Sequence, residues 1–210
     1  MTPELPIVFI VDDDPSVRRS LSRLARHANM EARTFHSAGD FLQSQPRADG
    51  RACCMVLDLH MPGIGGLEFQ STLANSSLAC PVIFISGNGD ISATVKAMKQ
   101  GAVTFLEKPF DNDDLLGAIS EALDRHKALL ESDSQERIVH ARMRELTERE
   151  TEVMAWIITG ALNKQIAGKL GITEKTVKVH RARVLKKMSA PSVAELVRLC
   201  ASVGFAAANE

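Results

Sequence analysis

Cys53-Cys54-Met55-Val56-Leu57 is an apolar run of strand length that ends on a carboxylate, Asp58, and turns at once through Met61-Pro62-Gly63. A buried strand that delivers one Asp to its C-terminal lip narrows the choice of fold. Chains that alternate strand and helix place their ligand sites at that edge of a parallel sheet. Alone, the stretch is also compatible with an Asp that merely caps a turn, and the neighbouring runs decide between the two.

Pro6-Ile7-Val8-Phe9-Ile10-Val11 is apolar without alternation, the pattern of a strand covered on both faces. It runs into Asp12-Asp13-Asp14-Pro15, where Asp14 suits an N-cap and Pro15 the first position of a helix through Val17, Leu21, Leu24 and Ala28. A short strand is expected over Glu31–Phe35, a short helix over 38–45, and a helix over 67–75 after the Asp58 strand. Residues 81–85 form a fourth apolar run ending on Ser86-Gly87, and a helix over 91–100 stops at Gly101. A fifth run over 103–106 ends at Lys108-Pro109, and Asp111 caps a last helix through Leu115, Leu116, Ile119 and Leu123. Strands alternating with helices in this way imply a parallel sheet covered on both faces.

Every strand but the second ends in a polar group: Asp12 and Asp13, Asp58, Ser86, Lys108. In a parallel sheet these ends converge on one lip. Carboxylates gathered there repel one another, and a hard divalent cation with oxygen ligands relieves the repulsion. Mg²⁺ suits a few carboxylates plus waters and a phosphate. Lys108 and the Ser86 hydroxyl, arriving from the other side, could hold phosphate oxygens. The constellation favours phosphoryl chemistry on Asp58.

Over residues 5–125 the chain resembles the receiver domains of two-component response regulators. Val11-Asp12-Asp13, Leu57-Asp58, Met61-Pro62-Gly63, Ser86-Gly87 and Phe105-Leu106-Glu107-Lys108-Pro109-Phe110 stand in that family's order and spacing. The resemblance implies a flavodoxin-like (βα)5 domain in which Asp58 accepts phosphate from a phosphohistidine of a sensor histidine kinase. It implies Mg²⁺ held by Asp13, Asp58 and the backbone carbonyl of His60, with Asp12 acting mostly through a water. It also implies that Ser86 and Lys108 bind the phosphoryl oxygens, that Lys108-Pro109 is cis, and that Phe105 is the aromatic switch residue. Ser86 replaces the commoner Thr and keeps its hydroxyl.

Charge separates this half from the remainder. Residues 1–125 carry 11 Lys/Arg against 16 Asp/Glu, a net of −5, whereas residues 126–210 carry 14 against 10, a net of +4. The asymmetry points to two domains with different partners, a polyanion being the natural partner of the second. Between them, residues 126–144 lack Pro and Gly and are dense in charge; the polar patch Glu131-Ser132-Asp133-Ser134-Gln135 is the expected break, a continuous exposed helix the alternative.

The basic half reads as four short helices. Leu146-Thr147-Glu148-Arg149-Glu150 holds a Thr-x-x-Glu capping box before Val153, Met154, Trp156 and Ile157. Asn163 is expected to cap a second helix closed by Gly171, Thr173 a third running to about Met188, and Pro191-Ser192 starts a fourth. Two short helices joined through Gly171, the second of them basic, form a helix-turn-helix signature. In that second helix Val177, Val184, Leu185 and Met188 make the apolar stripe, opposite Lys175, Lys178, Val179, Ala182 and Lys186. Trp156 reads as core rather than as a base-stacking platform.

Residues 143–205 resemble the DNA-binding domain of the LuxR/FixJ/NarL group, through Leu146-Thr147-x-Arg149-Glu150, Asn163-Lys164-x-Ile166-Ala167 and Thr176-Val177-Lys178-Val179-His180. The resemblance implies that the 173–188 helix enters the major groove. Lys178, Val179 and Ala182 would approach base edges, and Lys164, Lys175, His180, Arg181 and Lys186 would contact phosphates.

The expected architecture is therefore α/β plus all-α: a receiver at 1–125, a helical linker at 126–142 and a helix-turn-helix domain at 143–210. The expected function is phosphorylation-controlled transcription regulation rather than enzymatic turnover. The expected partners are a sensor histidine kinase, promoter DNA, RNA polymerase and, once phosphorylated, a second copy. The N-terminus lacks a signal-peptide pattern and no apolar run is long enough to span a bilayer, so a cytoplasmic location and no membrane partner are expected. Four cysteines without zinc or CxxC spacing are expected as small buried hydrophobes. Two rivals remain at this level. A phosphohydrolase with Asp58 as nucleophile would need a second acid nearby, as in Asp-x-Asp, where this chain has Leu59-His60. An adaptor would carry the basic domain without binding DNA.

Overall fold

The computed structural model describes residues 4–73, 78, 80–87 and 91–208. They divide into two compact units, Met1–Leu130 and Glu131–Glu210.

The first unit alternates β1 (Ile7–Val11), α1 (Pro15–His27), β2 (Glu31–Phe35), α2 (Ala38–Ser44), β3 (Cys53–Asp58), α3 (Gly66–Leu73), β4 (Val82–Ser86), α4 (Ile91–Lys99), β5 (Thr104–Glu107) and the start of α5 (Asn112–Arg144). The strands pair in parallel in the order β2-β1-β3-β4-β5. This is the flavodoxin-like order, whose switch point lies between β1 and β3, where ligand crevices open. The unbroken apolar runs of β1, β3 and β4 follow from burial on both faces. Ile7, Phe9, Val11, Met55, Leu57 and Phe84 pack with Phe41, Phe69 and Ala97 of α2, α3 and α4. Val8, Ile10, Val56, Ile83 and Ile85 pack with Leu21 and Ala25 of α1 and with Leu115, Ile119 and Ala122 of α5. Phe41 meets Phe9 and Phe69 edge-on at centroid distances of 5.6 and 5.4 Å. Such edge contacts add about 0.5–1.5 kcal/mol each beyond burial.

Local signals set the helix starts. Asp14 caps α1 through Ser16 N–H at 2.7 Å, with Pro15 inside the first turn as expected. Ser37 caps α2. At Gly66 a side chain is excluded, since a Cβ there would lie 2.6 Å from the Asp58 carbonyl and 3.0 Å from Phe84. The expected end of the 67–75 helix at Asn75 lies outside the described residues.

α5 runs unbroken from Asn112 to Arg144, so the patch at 131–135 lies inside a helix instead of interrupting it. The patch is charged and solvated and has no Gly or Pro to stop propagation. Asp113 and Asp114 in the first turn and Arg142 and Arg144 in the last both complement the helix dipole.

In the second unit the end of α5 is followed by α6 (Glu148–Ile157), α7 (Asn163–Leu170), α8 (Glu174–Lys187) and α9 (Val193–Ser202). Their core gathers Val153, Met154, Ile157, Ile166, Val177, Val184, Met188, Leu196 and Cys200 around Val139 of α5. Thr147 and Glu150 make the expected capping box, and Thr173 and Ser192 cap α8 and α9. One boundary differs. Asn163 is the first residue of α7, not its cap; Leu162 precedes it and donates its N–H to the Gln165 side chain at 2.7 Å. That bond satisfies the Leu162 N–H, while Leu162 itself offers no side-chain acceptor to the N–H groups of the first turn. All four cysteines are buried and free, and Trp156 packs against the core with Lys169 over its ring.

Candidate functional site

The C-terminal ends of β1, β3, β4 and β5 bring the predicted residues to one lip. Asp12 is 0% and Asp58 5% exposed. Lys108 Nζ donates to Asp12 Oδ2 and to Asp58 Oδ1, each at 2.8 Å. The second oxygens are held by the backbone: Asp12 Oδ1 accepts Asp14 N–H at 2.8 Å, and Asp58 Oδ2 accepts His60 N–H at 3.0 Å. Arg18, one turn into α1, fixes the Asp12 carbonyl through Nη1 at 2.6 Å. Its role was missed because Arg18 reads as an ordinary polar-face residue until the β1–α1 loop folds back on it.

Ser86 is fully buried at the end of β4, and its carbonyl accepts Lys108 N–H at 2.7 Å. That bond, with the register pairing Ser86 to Glu107, sets the Ser86 end beside the Lys108 loop. The Lys108-Pro109 peptide is cis. Phe105 pairs with Phe84 across β4 and β5 and is half-buried against the cluster containing α4. Asp13 and His60 are exposed at the lip.

Two buried carboxylates share one ammonium group here. Burial pushes the Asp58 carboxyl above the usual range; the Lys108 hydrogen bond pulls against this and the Asp12 charge adds to it. Burial works against the Lys108 charge as well, but the bonds to Asp12 and Asp58 hold its pKa above the ordinary value. The carboxylates of Asp12 and Asp58 are the kind of oxygen ligands a hard cation such as Mg²⁺ would take, although among the described residues no group of three or more His, Cys, Asp or Glu side chains is assembled to hold one.

In the second unit, Gly171 takes φ 65°, the left-handed conformation that ends α7 and turns the chain into α8. Lys175, Lys178, Val179, Ala182 and Lys186 are exposed, as their helical spacing predicted, and Lys164 of α7 is exposed as well. His180 and Arg181 are half-buried at the borders of the Val177–Val184–Met188 stripe. Arg183, which the sequence reading passed over, is exposed on the face of Val179, one turn before it; plotting α8 at 100° per residue would have found it.

Lys187 counted towards the basic charge of α8 but faces the fold, donating to the buried Glu150 at 2.6 Å and to the Glu145 carbonyl at 3.0 Å. The Lys187 bond, joined by the Thr147 backbone N–H, lowers the Glu150 pKa to about 2 from an ordinary 4.5. A depressed carboxylate contributes stability that is complete above the unfolded pKa and lost as pH falls towards the folded one. The melting-temperature gap between wild type and Glu150→Gln should therefore be widest at neutral pH and narrow on going to about pH 3. A gap independent of pH in thermal melts would contradict this role.

These arrangements agree with what similar proteins are. Residues 8–120 match the model of the response regulator receiver domain, and residues 144–200 match that of the bacterial regulatory proteins of the luxR family. Nodulation protein W of Bradyrhizobium diazoefficiens is 43% identical over 201 residues, covering 96% of this chain and 88% of that protein. Transcriptional regulatory protein FixJ of Azorhizobium caulinodans is 38% identical over 208 residues, 99% of this chain and 98% of that one. The chain belongs to the FixJ/NarL response regulators.

The low-resolution structure of the response regulator StyR has the same fold over 94% of this regulator and 99% of that chain, with a TM-score of 0.83 and 43% identity. This FixJ/NarL regulator thus joins a receiver domain to a LuxR-type DNA-binding domain and regulates transcription. Among the described residues, no helix is long and apolar enough to cross a membrane.

Proposed function

We propose that Asp58 is the phosphoryl acceptor and that its phosphorylation by a sensor histidine kinase raises the affinity of the basic domain for promoter DNA. The observation that carries this is the Lys108 ammonium bonded at 2.8 Å to both Asp12 and Asp58. A carboxylate oxygen of Asp58 attacks the phosphorus of a phosphohistidine and the imidazole leaves, forming an acyl phosphate. Lys108 and the Ser86 hydroxyl take up the phosphoryl oxygens. Asp13, Asp58 and the His60 carbonyl would hold Mg²⁺, with Asp12 acting mostly through a water, and the ion would supply positive charge to offset that of the incoming group. Each chain accepts one phosphoryl group and then acts as a regulator, not as an enzyme turning over a small ester.

The acyl phosphate adds about −1.5 to −2 charge beside Ser86 and Lys108. Drawing Ser86 towards it opens room for Phe105, which changes the face made by α4 and β5. That face carries an apolar stripe at helical spacing, Ile91, Val95 and Met98, exposed by 80, 47 and 45%. It is the surface on which a second phosphorylated copy docks. A switch from about 1:99 to 99:1 needs roughly 5.5 kcal/mol of preference between states, so dimerisation and a paired DNA half-site add to what one phosphate supplies.

The proposed division is a receiver at 1–125, a linker at 126–142 and a DNA-binding domain at 143–210; a break between compact units after Leu130, inside that linker, supports two domains, and Val139 of the linker packs in the second core. In the DNA-binding domain α8 enters the major groove. Lys178, Val179 and Ala182 meet base edges, while Lys164, Lys175, His180, Arg181 and Lys186, with Arg183 added, meet phosphates. RNA polymerase is the partner at the promoter, and the cytoplasm is the compartment. In the test, DNA affinity is titrated with and without acetyl phosphate for wild type and Asp58→Asn. Wild type should tighten at least tenfold, about 1.4 kcal/mol, and Asp58→Asn not at all. Equal stimulation of both would refute the assignment.

A further inference from the structure

The opposite edge of the same sheet holds a second group of reactive side chains that phosphoryl chemistry does not use. Cys53 opens β3 and Cys80 lies just before β4. Met55 pairs with Val82, and carrying that register two residues back, past the start of β4, brings Cys53 and Cys80 to neighbouring positions, with both side chains in the cluster on the α2–α4 face. Neighbouring residues of parallel strands are about 4.8 Å apart, inside the span of roughly 4.4–6.8 Å between Cα atoms that a disulfide bridges.

A histidine completes the group. His126 of α5 is buried, and its Nδ1 accepts Cys53 N–H at 2.9 Å. An accepting Nδ1 leaves the proton of the neutral ring on Nε2, which lies 4.0 Å from Cys53 Sγ. The neighbouring Cys80 thiol and this imidazole together draw the Cys53 thiol down to about 6 from an ordinary 9.0, whereas burial holds Cys54 well above its ordinary value. Cys53 is thereby the thiolate of the pair. Cys80 is its route to solvent, for it is 9% exposed and lines a cleft of about 270 Å³ with Gln70, Leu73, Arg125 and Leu129.

We propose that Cys53 and Cys80 form a reversible redox pair that a small hydroperoxide closes into an intra-sheet disulfide. The Cys53 thiolate attacks the peroxide oxygen, the O–O bond breaks, and the alkoxide takes a proton from solvent and leaves as the alcohol, with a sulfenic acid on Cys53. The Cys80 sulfur then attacks the Cys53 sulfur, the Cys80 proton and the hydroxyl of the sulfenic acid leave as water, and the S–S bond forms. Overall two thiols and one hydroperoxide give a disulfide, an alcohol and water; the thiols lose two electrons and the peroxide gains them. A dithiol reductant reverses the bond by exchange. The crosslink ties the N-terminal ends of the two strands whose C-terminal ends carry Asp58 and Ser86, and it forms whether or not Asp58 is phosphorylated.

The full-length protein is treated with tert-butyl hydroperoxide, quenched, denatured and alkylated, and its mass and peptides are read without reduction. Of the four thiols in the reduced protein, two should remain alkylatable, with the peptides of Cys53 and Cys80 linked and dithiothreitol restoring all four. Cys54→Ala should form the same link, and Cys80→Ser should form none. His126→Gln should slow closure by about tenfold through the lost thiolate fraction. Four free thiols after treatment, a link through Cys54 or Cys200, or a link between chains would each overturn the proposal. Asp58→Asn is the independent control, closing the disulfide like wild type even if the phosphoacceptor assignment fails.

Discussion

Lys108→Ala should uncouple phosphorylation from DNA binding and at the same time tighten Mg²⁺ binding. The ammonium is the one cation bonded to both Asp12 and Asp58 among the described residues, at 2.8 Å from each. Without it the two carboxylates lose their shared partner. Removing one member of a buried charge cluster costs about 3–5 kcal/mol when nothing replaces it. Mg²⁺ can replace it, so stability of the variant should depend steeply on added Mg²⁺ while wild-type stability depends on it weakly. The acyl phosphate would lack the donor that draws the β5 loop towards it, so DNA affinity should no longer rise with phosphodonor. Urea denaturation across a Mg²⁺ series and DNA titration with acetyl phosphate read the two effects. Unchanged Mg²⁺ dependence together with a full phosphate response would show that Lys108 serves neither purpose.

The second large effect belongs to α8. Lys178 and Lys186 are exposed on the face opposite Val177 and Val184, and among the described residues neither has a buried carboxylate partner of the kind Lys187 has in Glu150. Each phosphate neutralised by a protein cation contributes about −0.9 to the slope of log affinity against log salt on duplex DNA. Lys178→Ala with Lys186→Ala should therefore flatten the slope by roughly 1 to 2 and weaken binding at low salt by one or more orders of magnitude. Both changes are on the solvent side of α8, so thermal stability should hold. A slope equal to wild type would mean that this face does not meet DNA, the adaptor reading.

Much of the receiver was legible because its signals are local. Apolar runs in β1, β3 and β4 report burial on both faces. Asp14 and Pro15 report a helix start, and the ends of the strands report the lip that collects Asp12, Asp58, Ser86 and Lys108. Illegible were contacts whose partners are far apart in sequence. His126 caps Cys53 N–H across 73 positions, and Lys187 crosses 37 positions to Glu150. Nothing in the local pattern distinguishes Lys187 from Lys186. The reach of Gln165 to Leu162 N–H moved a helix start by one residue. Polarity at 131–135 suggested a break, but only a Gly or Pro would have supplied a physical reason for one. In α8 charge alone could not rank His180, Arg181 and Arg183, and burial does.

The most direct test is to locate the phosphoryl group. Full-length protein with Mg²⁺ and acetyl phosphate is reduced with borohydride, which converts an aspartyl phosphate to homoserine, and its peptides are sequenced by mass. Homoserine at position 58, in an amount that rises with DNA affinity, is the predicted result. Homoserine at another position, or modification of Asp58 without any change in DNA affinity, would contradict the account.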